Sequence, residues 1–338
     1  MRLNRSTVLV SALCVATSSA FAHAQETRPT ILQIDVDNMV RYVADTPDPS
    51  KFATNTGITP AVVPRNFGAY LALADIVAVN GLPAKGTYAS RGLSMTMSPS
   101  AAAGVAIADV TRNSAVDVRF EILSADGTTP IGTILGLEFG MGPPPPGSPL
   151  AVTVGNNVIV GGTGAFLGAR GSYGQSVTAQ TVAVRMASIV EDPASRRRNG
   201  GGRTRYVFQV IPMNRPTVLT TAGTPLVAHA NNEMVTASKP AVPGEKLYAY
   251  VNGLGPTYPG VDPGGAFPPS PPASVNSPIQ VTINGNPTLV LGAVGFPGAV
   301  DTYQVQFQVP SGTGSGGALL QVSAAWIDGP TVTIPIQQ

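Results

Sequence analysis

The residues of this sequence best placed to do chemistry gather around a glycine corner, Val158-Ile159-Val160-Gly161-Gly162-Thr163-Gly164-Ala165-Phe166-Leu167-Gly168-Ala169-Arg170-Gly171. Gly161, Gly162, Gly164 and Gly168 mark a forced turn between two strands, because glycine is placed where φ must be positive or where another backbone comes close. Arg170 is the polar group that such a turn would aim. Its guanidinium reads either as an anchor for a ligand or as a partner for a carboxylate such as Glu121 or Glu138. A phosphate loop is excluded, since no Lys-Ser/Thr follows the glycines and the stretch from Ser172 to Ala187 alternates like a strand instead of opening a helix.

Little else offers acid-base or nucleophilic chemistry. The histidines are His23 and His229, and no G-x-S-x-G elbow accompanies them, which argues against a serine hydrolase. Asp35, Asp37 and Asn38 lack the closing Glu and Gly of a calcium loop and read as a solvated strand end. Soft nitrogen and sulfur donors are nearly absent, so no metal site and no cofactor is expected. Arg196-Arg197-Arg198 with Arg203 and Arg205 form a charge cluster around Asn199-Gly200-Gly201-Gly202. It reads as a hydrated hairpin tip, or as a patch for an acidic cell-surface polymer.

These groups must be held by strands. The chain carries 38 Gly and 32 Pro with many Val, Thr and Ile, and long helical patterns are missing, so the class is all-β. Strand-like runs recur over Leu71 to Val79, Lys85 to Thr96, Val116 to Ser124, Ile131 to Phe139, Leu150 to Val160, Ser172 to Ile189 and Thr204 to Pro212. Asn80-Gly81 and Asp126-Gly127 punctuate them. Their spacing suits an up-and-down antiparallel barrel of about eight strands, a size whose interior is filled by side chains or holds one small ligand. Tyr88, Tyr173, Phe120 and Phe166 are the aromatic candidates for that interior.

Residues 1–24 read as a secretory signal, with Arg2 and Arg5 at the charged end, Thr7 to Ala16 as apolar core and Ala22-His23-Ala24 as cleavage site. Cleavage after Ala22 would serve nearly as well. Cys14, the one cysteine, lies inside this segment, so the exported chain has neither disulfides nor thiol chemistry. Without Arg2 and Arg5 the basic and acidic residues balance, and nothing asks for nucleic acid. No later apolar run is long enough for a membrane span, so a secreted or periplasmic protein is expected.

The remaining chain divides into a lead-in arm (25–66), in which Ile31 to Val36 reads as a strand and Asp45 to Pro64 as irregular, a barrel (67–212), a connector (213–230) and a second unit (231–338). The last has six or seven short strands, with Asn284-Gly285 as a hairpin turn, and reads as a small immunoglobulin-like sandwich. Trp326 is expected in its core. A long Pro-rich loop, Pro256 to Pro278, interrupts it. With few charges and no histidine after His229, this unit reads as an appendage separate from the site.

The glycine corner resembles the GGTG-x-F-x-x-ARG motif of dirigent proteins and the related corner of allene oxide cyclases. Ala74-Asp75-Ile76-Val77 and Lys85-Gly86-Thr87-Tyr88 stand where those barrels have their first and second strands. The second unit resembles a domain found at the ends of secreted bacterial proteins, through Pro243-Gly244-Glu245, Asn252-Gly253-Leu254-Gly255-Pro256-Thr257 and Tyr303-Gln304-Val305-Gln306-Phe307-Gln308-Val309-Pro310. The first resemblance implies a dirigent-like barrel that binds a small apolar or phenolic ligand at Arg170, Asp75, Tyr88 and Tyr173. Any turnover would be steering of a coupling or cyclisation. The alternative is a non-catalytic extracellular or surface-structural protein whose barrel is filled by its own side chains, with cell-envelope contact as its role.

Overall fold

A computed structural model describes residues 29–43, 67–95, 113–139, 156–176 and 181–338. The signal segment, residues 44–66, 96–112 and 177–180, and residues 140–155 with the first part of the Leu150 to Val160 run lie outside the described residues.

The chain is all-β, and its first unit is a closed barrel. Its strands are β1 (Thr30–Val43), β2 (Phe67–Val79), β3 (Leu82–Met95), β4 (Asn113–Leu123), β5 (Pro130–Phe139), β6 (Asn156–Gly164), β7 (Arg170–Gln175), β8 (Arg185–Ser188) and β9 (Gly202–Ile211). Eight of them pair antiparallel in the order β2-β3-β4-β5-β6-β7-β9-β1, and β1 closes the ring by pairing with β2. Closure leaves none of these eight with a free edge. The short β8 lies outside this cycle, parallel to the end of β1 over Val40–Val43.

Two boundaries differ from the sequence reading. Residues 30–43, expected in a lead-in arm, form a full barrel strand. The alternation of Leu32, Ile34 and Val36 with Gln33 and Asp35 fits a strand with one buried face. The run from Ser172 to Ile189, read as one strand, instead supplies β7 to the ring and β8 to its flank.

Alternation sets what points inward. Along β9 the burial pattern puts Thr204, Tyr206, Phe208 and Val210 inside and Arg203 and Arg205 outside. On β1 a register shift between Asp37 and Val40, with Asn38 at φ 54°, changes the parity. Val40 and Tyr42 therefore pack outside with Ala187 and Leu73. Arg41 turns inward.

The second unit is a pair of antiparallel sheets over one core. Lys246–Asn252 pairs with Thr302–Gln308, which pairs with Leu289–Gly295. Facing them, Gly316–Ala324 pairs with Ile279–Ile283, Ile327–Asp328 and Val332–Ile336. Leu247, Val251, Val305 and Phe307 from the first sheet meet Val281, Leu320, Val322 and Ile334 from the second in one buried cluster, a β-sandwich. The connector is part of it: Thr217–Val218 and Val227–His229 both pair with Lys246–Asn252. The Pro-rich loop is pinned by pairing of Thr257–Tyr258 with Ser274–Val275 and by Phe267, whose ring lies 5.0 Å from that of Tyr303.

The two units share a core. Ala325 and Ile327, in and after the turn that follows Gly316–Ala324, are fully buried among the barrel's residues, and Trp326 packs against the same cluster. Trp326 was expected in the sandwich core; it sits instead at the lower end of the barrel, where β1 begins. Ala325 (φ 49°) and Trp326 (φ 63°) both hold the left-handed conformation, at a cost of roughly 1 kcal/mol each or more. Burial of their neighbours offsets that strain. Asn276 adds a tie, its Nδ2 donating to the Pro130 carbonyl at 3.0 Å. Beside this plug a cleft of about 1010 Å³ opens between Thr30, Ile31, Asn80 and Leu82 of the barrel and Gln280, Gln321 and Asp328 of the sandwich.

Candidate functional site

The middle of the barrel is packed with aromatic rings. Phe120 stands edge-on to Tyr88, Tyr206 and Phe208 at centroid distances of 5.0, 5.1 and 4.8 Å. Tyr173 stacks on Phe208 at 5.1 Å and Tyr88 on Tyr206 at 5.3 Å. These are favourable edge and offset geometries. The chain's own rings fill this level of the interior.

Above it, toward the upper end where β1 finishes, the inward positions become polar. Tyr173 donates its hydroxyl to Glu138 Oε1 at 3.2 Å. Arg41 lies with its guanidinium carbon 4.2 Å from the centroid of the Tyr70 ring, and Gln175 Nε2 donates to Tyr206 Oη at 3.4 Å. Asn157, paired with both Glu138 and Tyr173 in the sheet, belongs to the same tier. Two glycines make room: a Cβ at Gly92 would stand 2.5 Å from the Tyr70 ring, and one at Gly136 would stand 2.6 Å from the Tyr173 ring.

The electrostatics of this tier are unusual. Burial pushes the Glu138 carboxyl above its ordinary range, and the hydrogen bond from Tyr173 and the charge of Arg41 only partly oppose it. The Tyr173 hydroxyl is raised by burial and then by the neighbouring Glu138. Arg41 Nε, Asn157 Oδ1 and Thr204 Oγ1 are buried and find no hydrogen-bond partner among the described residues. Buried polar atoms are nearly always satisfied, so these three are the open hydrogen-bonding positions of the tier among the described residues. A carboxyl held toward its neutral form can give a proton to a bound oxygen or take one from it.

Of the residues singled out from the sequence, Tyr88 and Tyr173 are inside the barrel, with Tyr88 wholly in the aromatic core and donating to Ser90 Oγ at 3.1 Å. Arg170 is not an inward anchor. It is exposed at the opposite end, where its Nη1 donates to the carbonyls of Val160 at 2.7 Å and Ala169 at 2.9 Å. Neither Glu121 nor Glu138 is its partner. The guanidinium laces the glycine corner together. Within that corner Gly164 has φ 60°, and a Cβ at Gly162 would meet the Phe166 carbonyl at 2.2 Å, whereas Gly161 has space for one.

Asp75 faces outward as well, since Ala74 and Ile76 hold the inward parity of β2. Arg196 reaches its Oδ1 at 2.7 Å, Arg197 reaches it at 2.8 Å, and Asn38 donates to Oδ2 at 3.0 Å. Burial works to raise its pKa, but these donors outweigh burial and draw it down to about 2. Arg203 pairs with Asp37 and Arg205 with Asp35. The arginine cluster is thus an ordered network on the barrel wall, not a free hairpin tip, and Asp35, Asp37 and Asn38 are engaged in it. Arg198 bonds Ser195.

Sequence reading missed Arg41, Tyr70 and Asn157 and named Glu138 only as a foil for Arg170. The signal present was a carboxylate sharing parity with Ile134 and Gly136 in an otherwise apolar strand. Among the described residues no three His, Cys, Asp or Glu side chains gather as a metal cage, and no helix is long and apolar enough to cross a membrane. No family model, no curated protein and no solved structure matches this chain.

Proposed function

We propose that this is an exported binding protein whose barrel mouth holds a small hydroxylated aromatic molecule, gripped by Glu138 and Tyr173 with Arg41, Tyr70 and Asn157 around it. The observation that carries the reading is the Tyr173–Glu138 hydrogen bond inside the mouth, beside buried polar atoms that have no hydrogen-bond partner among the described residues. An apolar floor of rings beneath convergent polar groups is the usual make-up of a small-molecule site. A phenol fits both halves, stacking on the floor and bonding the carboxyl. The resemblance of the glycine corner to dirigent and allene-oxide-cyclase-like barrels points to the same ligand class, and to steering rather than hydrolysis as any chemistry performed there. The signal-like residues 1–24 support export.

A second reading is a surface-structural protein with a filled barrel and an immunoglobulin-like appendage, and the five-ring core favours it. Thermal-shift screening against phenols and fatty-acid-derived ligands separates the two. The binding reading expects phenols to raise the midpoint of the wild type but not of Glu138→Gln or Tyr173→Phe. A flat response across the panel supports the structural reading.

A further inference from the structure

We infer that the cleft between barrel and sandwich is a second binding site, for a neutral oligosaccharide, independent of the barrel mouth at the opposite end. Its volume of about 1010 Å³ lies at the upper end of what small-molecule and cofactor sites occupy.

The chemistry of its walls selects the ligand class. Amide and hydroxyl side chains predominate among the polar groups, and Arg215 and Asp328 contribute opposite charges. There is no excess of either sign with which to hold a phosphate, a uronate chain or a nucleic acid. Gln280 is exposed on the strand that pairs with Gly316–Ala324, and its side-chain amide makes no hydrogen bond among the described residues. Asn80 uses its Oδ1 to accept from the Gln33 amide, which leaves its NH₂ as donor. Gln321 spends Nε2 on the Gly329 carbonyl, which leaves its Oε1 as acceptor. Asp328 receives Ser323 on Oδ1, with Oδ2 left over. Planar donors and acceptors of this kind match the neighbouring hydroxyls of a sugar ring, each of which can both give and take a hydrogen bond.

Apolar surface completes the match. Ile31 and Leu82 are more than half exposed at the barrel rim of the cleft, and Trp326 lines it from the floor. The indole is fixed by a turn whose two residues both hold the left-handed conformation, with its neighbours buried in the barrel core. Residues held in this way cluster at ligand clamps. A rigid half-buried ring flanked by amides is a platform for the C–H face of a sugar, at little entropic cost to the protein.

Trp326 is the one tryptophan of the chain, so its emission reports on the place where the cleft meets the barrel core. The experiment titrates the full-length protein with cellohexaose and mannohexaose, with hexagalacturonate as the charged control. The expected result is a saturable change in emission with a neutral hexasaccharide. Gln280→Ala and Asp328→Asn should each weaken it roughly tenfold, in line with the loss of one or two hydrogen bonds, while Glu138→Gln leaves it unchanged. Gln280 is exposed, so its variant tests the site without endangering the fold. No response to either neutral hexasaccharide at about 10 mM, an equal or stronger response to the charged control, or a response that both cleft variants retain would each overturn the inference. A response abolished by Glu138→Gln would place the sugar at the mouth and also overturn it.

Discussion

Tyr173 donates a hydrogen bond to Glu138 across β6, inside a barrel whose interior below that level is mostly aromatic and aliphatic, with Ser90 bonded to Tyr88. The pair places one ionisable carboxyl where water is scarce, at the boundary between a dry core and a polar mouth.

That location has a signature in stability against pH. The Glu138 pKa is raised by burial, so the folded state favours the protonated acid. Stability is fully present below the unfolded value of about 4.5 and is lost as pH rises through the folded value. Glu138→Gln should therefore be more stable than the wild type at about pH 8, and the difference should shrink by about pH 4. Denaturant midpoints measured across that range check it.

Asp75 carries the opposite sign. Its pKa falls to about 2, so its contribution is present above the unfolded value of about 3.8 and is lost as pH falls through 2. Asp75→Asn should cost about 2 kcal/mol at neutral pH, and Arg196→Ala should cost more than Arg197→Ala because Arg196 is the more buried partner. Chemical denaturation of the three variants orders them.

His229 is the pH-sensitive group of the sandwich. Burial alone would lower its pKa, but Glu245 at 2.6 Å from Nδ1 and the Lys239 carbonyl at 3.2 Å from Nε2 override burial and raise it. Acceptors on both ring nitrogens favour the protonated imidazole. Its stabilisation is complete below about pH 6.5 and fades as pH rises through the folded value. His229→Ala should be less stable than the wild type at about pH 5.5, with the gap narrowing above pH 8. An imidazole NMR titration with a folded pKa below the usual histidine value would contradict this.

The sandwich is a structural partner of the barrel. Because Ala325 and Ile327 complete the barrel core, residues 25–212 expressed alone should expose the barrel's lower end and melt earlier than the full chain. Trp326→Ala should cost about 3 kcal/mol, in the range of core truncations. A truncated barrel as stable as the full protein would show the contact to be incidental.

Much of the fold was legible because short-range chemistry specified it. Asn80-Gly81 and Asn284-Gly285 are both hairpin turns with two positive φ values in the structure, and alternation located most of the strands. β1 was harder to place, since its barrel partners include β9, which lies far along the chain. The inward tier was illegible for a related reason. Parity names two faces of a strand but not which one is inside, and the shift between Asp37 and Val40 reverses it within β1. Trp326 was misplaced because an Ala-Trp pair gives no sign of the left-handed turn that carries it into the other unit. Arg170 shows the limit of motif reading: its position at the corner was right for a polar anchor, and its partners turned out to be carbonyls of the corner itself.

The barrel-mouth account is tested most directly by calorimetric titration of the full-length protein with a simple para-substituted phenol at about pH 6, near the ordinary histidine range and well below the phenol's own ionisation. The account predicts one site per chain in the wild type. Tyr173→Phe and Glu138→Gln should each weaken it roughly tenfold or more, for loss of a hydrogen bond in a buried setting, and Arg170→Ala should bind like the wild type. Binding that survives both mouth variants, or that vanishes with Arg170→Ala while the fold is retained, would contradict it.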